Sequence, residues 1–325
     1  MPVPTFIHAP RDGLPDLFEN GDAGAPKRMF DVIDQIGWVI DENPGTHLIA
    51  HNVPLNDAPM YIRVDSDDAV LGNLLNLTSF MDSTVVAAVR VFASLADAQN
   101  ETAPIGQVVA PKIGAWNTTG SSSRKINYGW VGDQRTAYLL VSGLNVGSTA
   151  SPGYEIEKFA VYGFGELGRL AGDPGVSFFG GGDDDDDGKR VNFITGASGI
   201  FRRGGLTNSF GSGAGFVDGA TLSSSAANEL GFADGVNSST SPFLSPVYAY
   251  ESAGEMRGAF PGFVTPSMGM GTVNEGIVEN VSFQTLAGPA VGLKIPISGW
   301  ADRADKDAGP VFFDLSNDWD LYHAA

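Results

Sequence analysis

Cysteine is absent from this 325-residue chain, and histidine occurs only 4 times. The first absence excludes disulfides and thiolate chemistry; the second leaves few groups that exchange protons near neutral pH. Basic residues are scarce too: 19 Lys and Arg stand against 38 Asp and Glu, for a net charge of −19. A surface of that sign disfavours nucleic acid and anionic membranes as direct partners. It suits solubility, cations or basic protein surfaces. No apolar run approaches the ~18 residues that span a bilayer, so no membrane insertion is expected. The start, Met1-Pro2-Val3-Pro4-Thr5, has no basic stretch followed by an apolar one, so synthesis and folding in a cytosol are expected.

Glycine and proline are plentiful, with 43 and 19 copies. Glycine near 13% is about twice its usual share of ~7%. Glycine supplies positive-φ turns and proline fixes others, so the chain is punctuated every few residues. That pattern predicts short strands joined by turns. Phe30 to Ile40 partly alternates and closes at the turn signal Asp41-Glu42-Asn43-Pro44-Gly45. His47 to His51, Met60 to Val64 and Thr84 to Phe92 read as strands, while Leu71 to Phe80 is ambiguous. Lys125 to Asp133 and Thr136 to Ser142 flank a turn, and Glu155 to Phe164 alternates cleanly. Phe243 to Tyr250, Val278 to Thr285, Gly292 to Ile297 and Val311 to Leu315 continue the series, as does Asn192 to Thr195. Only Ser224 to Leu230 suggests a helical turn.

The expected fold is all-β: two antiparallel β-sandwich or jelly-roll-like domains, an extended N-terminal arm, and few or no long helices. The arm covers 1–28, the first sandwich 29–180, a Gly/Asp-rich linker or loop 181–190, and the second β-rich domain 191–325. Asp183 to Asp187, flanked by glycines, should self-repel and stay extended as a solvated linker. Its carboxylates also suit a calcium ion, although the alternating spacing of a calcium loop is missing. No other cofactor is expected.

No catalytic constellation stands out. His47 and His51 sit four apart between Pro44 and Pro54, which favours a strand. Strand geometry separates them by about 13 Å, too far to share a metal. Ala197-Ser198-Gly199 and Gly211-Ser212-Gly213 fall short of a hydrolase elbow. Asp65, Asp67 and Asp68 sit in a polar, turn-like stretch and read as solvent-facing. Phosphate-loop and dinucleotide signatures are missing. Trp116, Tyr128, Trp130 and Tyr138 crowd one stretch of sequence and are the candidate ligand or subunit contacts. Exposed, they could stack on sugar rings; aromatic residues in strands more often fill a core.

Three segments resemble a family of structural proteins from long-tailed bacteriophages. Gly132-Asp133-Gln134-Arg135-Thr136-Ala137-Tyr138 is similar to that family's Gly-Asp-Gly-Arg-Thr-Phe-Tyr strand. Val161 to Leu167, leading to Ala171-Gly172-Asp173, resembles its continuation. Met256 to Phe263 is similar to its Arg-Gly-x-Leu-Pro-Gly-Leu segment, and Gly309 to Trp319 to its closing Val-x-x-Asp-Leu-x-Gly-Pro-Trp. The chain departs at Gln134, Phe260 and Asn317-Asp318.

The resemblance implies a non-enzymatic virion component, in many copies, at the tail tip or baseplate. Its partners would be other virion proteins and copies of itself. Two alternatives stay open: a module binding host surface glycan or receptor, and a capsid decoration or head-fibre protein. The arm at 1–28 and the tail after Trp319 are the expected contacts to neighbours, by strand addition.

Overall fold

The structure, a computed structural model, describes residues 3–8, 11–14, 17–18, 25–55, 58–65, 87–110, 125–145, 155–168, 176–181, 199–202, 207–209, 215–218, 244–250, 256–266, 278–285, 288–295 and 311–322. In chain order its strands begin with β1 (Thr5–His8), β2 (Leu17–Phe18), β3 (Val39–Glu42), β4 (His47–His51), β5 (Tyr61–Asp65), β6 (Ala87–Phe92) and β7 (Gly106–Ala110). Next come β8 (Lys125–Gly132), β9 (Thr136–Asn145), β10 (Glu155–Glu166), β11 (Val176–Gly181), β12 (Gly199–Arg202) and β13 (Thr207–Ser209). The last are β14 (Gly215–Asp218), β15 (Leu244–Tyr250), β16 (Met256–Pro266), β17 (Val278–Thr285), β18 (Gly288–Ile295) and β19 (Val311–Asp314).

These strands form three antiparallel sheets. The central sheet runs β1-β8-β9-β10-β11-β12-β13, with β2 also paired to β8. A five-stranded sheet runs β3-β4-β5-β6-β7, and a six-stranded sheet runs β14-β15-β16-β19-β18-β17. The chain is therefore all-β and antiparallel among its described residues. Helices are brief: α1 (Ala25–Phe30), α2 (Leu95–Asn100), and 3-10 turns at Ile33–Ile36 and Trp319–Tyr322.

Side-chain alternation makes the central sheet a shared layer. Trp130, Ala137, Leu139, Tyr162, Phe164 and Phe179 pack with Leu48, Ile62, Val64, Val89 and Val91 of the five-stranded sheet. Their sequence neighbours Val131, Tyr138, Leu140, Val161 and Phe178 point the other way, onto Phe260, Phe263, Leu293, Phe312 and Phe313 of the six-stranded sheet. Both faces are dry, so Ala137 to Leu140 is a continuous apolar run instead of an alternating one. Two sandwich interfaces thus share one sheet.

That sharing changes the expected boundaries. β12 pairs with β11 across the segment 181–190, so the central sheet continues past the expected linker. The expected free arm is partly built in: β1 and β2 pair with β8, and Ala25–Phe30 is helical. Residues 30–36 are not strand either. Met29, Phe30, Ile33 and Ile36 reach the same core on helical spacing, ended by Gly37 at φ 101. Asp183 to Asp187, Trp116, Leu71 to Phe80, Asn192 to Thr195 and Ser224 to Leu230 lie outside the described residues.

Candidate functional site

The β8–β9 hairpin tip is where the three layers are tied together. Asp133 shapes it: its Oδ1 accepts from the N–H of Arg135 at 2.8 Å and of Thr136 at 2.9 Å, a side-chain-closed turn. The Asp133 N–H donates to the Thr136 carbonyl at 2.9 Å, completing the hairpin. From the five-stranded sheet, the Val53 N–H donates to the Gln134 carbonyl at 2.7 Å. Asn52 donates its side-chain amide to the Arg135 carbonyl at 2.9 Å. From β10, the Glu166 N–H donates to the same carbonyl at 3.1 Å, while Thr136 Oγ1 donates to the Glu166 carbonyl at 2.7 Å. The Glu166 carboxylate in turn accepts from the Leu55 N–H at 3.1 Å.

Arg135 carries the connection to the end of the chain. Its guanidinium donates to Asp133 Oδ2 at 2.9 Å, to Asp320, and lies 3.8 Å from Asp318. Burial by itself would lower that guanidinium, but the charges of Asp133 and Asp320 raise it above its ordinary value. A planar fork fits several carboxylates at once, which a lysine could not do.

The closing segment is organised by Asp314, which is fully buried. Its carboxylate accepts from the Ser316 N–H at 3.0 Å, Asn317 Nδ2 at 2.9 Å and the Tyr322 hydroxyl at 2.9 Å. Its carbonyl accepts from the Trp319 indole N–H at 2.8 Å. Trp319 lies edge-on to Tyr138, ring centres 5.8 Å apart. Burial, followed by the Asp314 charge, pushes the Tyr322 phenol far above its ordinary value.

The Met256 to Phe263 segment meets the same junction. Gly168 and Ala259 exchange N–H···O bonds of 2.7 and 3.1 Å. Gly258 and Gly262 hold φ of 146° and 69°, and a Cβ on Gly262 would enter the Trp319 indole. Hairpin tip, β10 end, β16 and chain end therefore touch one another. They form one hydrogen-bonded pin, with its guanidinium turned to carboxylates and its aromatic rings turned to the core. Among the described residues, no group of three or more His, Asp or Glu could hold a metal.

The expected aromatic contacts fall elsewhere. Tyr128 and Trp130 are buried against the five-stranded sheet, where Trp130 donates its indole N–H to the Met29 carbonyl at 2.7 Å and meets Phe30 edge-on. Tyr138 is buried on the opposite face, among Phe178, Phe263, Phe313 and Trp319. At 0–1% exposure these three rings offer no surface for sugar stacking, because their strands lie between two sheets. His47 and His51 sit on a strand, as expected, with separate partners: Glu42 at 3.3 Å and Asp41 at 2.7 Å.

Asp65 is not solvent-facing. It is 3% exposed and bonds Arg63 at 3.0 Å and Arg90 at 2.6 Å, with Glu101 closing the quartet. Asp67 and Asp68 lie outside the described residues. The junction's own chemistry, Arg135 with Asp318 and Asp320, was not singled out by sequence spacing; the Asp-x-Arg-Thr turn was its only local signal.

Comparison with family models, with curated proteins and with solved structures finds no match.

Proposed function

We propose that the chain is a non-enzymatic structural protein of a virion, a multi-copy component of the tail tip or baseplate of a long-tailed bacteriophage. One observation carries it: the segments that resemble that family, distant in sequence, come together at the Arg135 junction. Short motifs scattered by chance would have no reason to touch. Their shared role here is to lock one layer onto the next, which is what a subunit passing load to its neighbours requires. The partners on this proposal are other virion proteins and further copies of the chain, met in the host cytoplasm during assembly and retained in the tail.

Immunogold labelling of whole particles tests it. An antibody against the chain should mark the tail end distal to the head. Label confined to the head would move the protein to a decoration or fibre role, and unlabelled particles that lack its peptides by mass spectrometry would end the proposal.

A further inference from the structure

Arg63 on β5 and Arg90 on β6 stand directly opposite each other in the five-stranded sheet. Like charges in that register repel, so the pair needs anions beside it. One is Asp65, whose carboxylate accepts from Arg63 Nε at 3.0 Å and from Arg90 Nη2 at 2.6 Å. The other is Glu101: one oxygen accepts from Arg63 Nη2 and the other from Arg90 Nη1, each at 2.8 Å. These two carboxylates are not equivalent. The Asp65 side chain is 4% exposed, as is that of Arg90, whereas the Glu101 side chain is 43% exposed. Asp65 shares a strand with Arg63, while Glu101 hangs from the end of α2 at φ 58° and ψ 31°. In that left-handed conformation a helix usually ends on glycine or asparagine. Only the guanidiniums call for a carboxylate there. The Arg90 hydrogen bond, helped by the charges of Arg63 and Arg90, holds the Glu101 carboxyl below its ordinary value against the effect of burial. The clamp thus favours a charged oxygen over a neutral one.

We propose that Arg63 and Arg90 form a latent oxyanion site, plugged by Glu101, which takes a small diffusible anion, phosphate or a compact carboxylate, when Glu101 swings out. The plug states the chemistry of the ligand: two oxygens, one for each guanidinium, held at a rim that meets water. Without Glu101, two buried guanidiniums face one buried carboxylate, and the site carries excess positive charge. Its shape survives the exchange. Asp65 still holds both arginines, and Arg63 Nη1 still donates to the Ala98 carbonyl at 3.0 Å. Glu42, another carboxylate near Arg63, is taken up by Gln99 and His47. The vacated space is that of one carboxylate and its short stem, so the occupant is small. This site and the role in a virion rest on different observations, and either stands without the other.

A tethered carboxylate competes at an effective concentration on the order of millimolar, so the unaltered chain binds free anions weakly. Glu101→Gly suits the left-handed backbone and removes the competitor; it should bind inorganic phosphate at least roughly tenfold more tightly. Phosphate titration of the full chain at constant ionic strength, followed through the Nε–H resonances of Arg63 and Arg90, reads this directly. Both resonances should move in Glu101→Gly, acetate should move them too, and Glu101→Gly/Arg90→Met should lose the response at Arg63. Resonances that stay put in Glu101→Gly, or that move at the same phosphate concentration with and without Glu101, would overturn the proposal. So would a response at Arg63 that survives Arg90→Met. Should Glu101→Gly fail to fold, the unaltered chain decides: both resonances move at high phosphate if the plug exchanges, and their standing still overturns the site.

Discussion

Replacing Arg135 with methionine removes the guanidinium of the layer junction while keeping most of its length. The side chains of Arg135 and Asp133 are 5% and 1% exposed. Removing one partner of such a pair strands the other charge in a dry site, at a cost of about 3–5 kcal/mol. Asp133 keeps two backbone N–H donors at 2.8 and 2.9 Å, and Asp318 and Asp320 are 28% and 22% exposed and can turn to water. The expected loss therefore lies at the low end, about 3 kcal/mol. Asp133→Asn alone should cost about 1 kcal/mol, because Asn keeps the Oδ1 acceptor that closes the turn. The double variant leaves neither charge of the Arg135–Asp133 pair and should recover about 1–2 kcal/mol relative to Arg135→Met. Urea unfolding followed by far-UV circular dichroism measures all of these. If Arg135→Met unfolds within about 1 kcal/mol of the parent, or if the two changes simply add, the junction is not the pin described.

Three other outcomes are expected. Burial raises the phenols of Tyr138 and Tyr322, so the folded state keeps protons that the unfolded state releases above about pH 10. That stability is whole below pH 10 and falls as pH rises, by about 1.4 kcal/mol per pH unit for each phenol; Tyr322→Phe should reduce the slope of alkaline unfolding by one such increment. Gly262→Ala combines a φ of 69° with a methyl driven into the Trp319 ring, and should cost about 2–4 kcal/mol in chemical denaturation. Ser94→Ala removes the acceptor of the Asp97 N–H at the start of α2, and should cost about 1 kcal/mol and speed amide exchange there.

Strands flanked by strong punctuation were legible from residues alone. His47–His51 lies between prolines, and Thr136 to Ser142 is an apolar stretch set off by the turn before it. Helical pieces were missed for different reasons. Ile33–Ile36 is too short for its spacing to outweigh the alternation around it. α2 is six residues long, and its start is set by the Ser94 side chain, which accepts from the Asp97 N–H. Layering was out of reach: nothing in Tyr138 or Trp130 says that two sheets, not one, cover their strands. The candidate aromatic contacts failed on that point, since a ring's type does not report its burial. Asp65 failed likewise, because the Arg63 and Arg90 that neutralise it come from its own strand and the next. The Arg135–Asp320 bridge spans 185 positions, and only the fold brings its ends together.

An electron cryo-microscopy map of intact particles is the most direct check on the central claim, that this protein works by its place among other subunits. The account predicts three stacked antiparallel layers, repeated around the tail axis and docked to neighbouring proteins. A map in which every tail-tip and baseplate density is filled by other chains would contradict it.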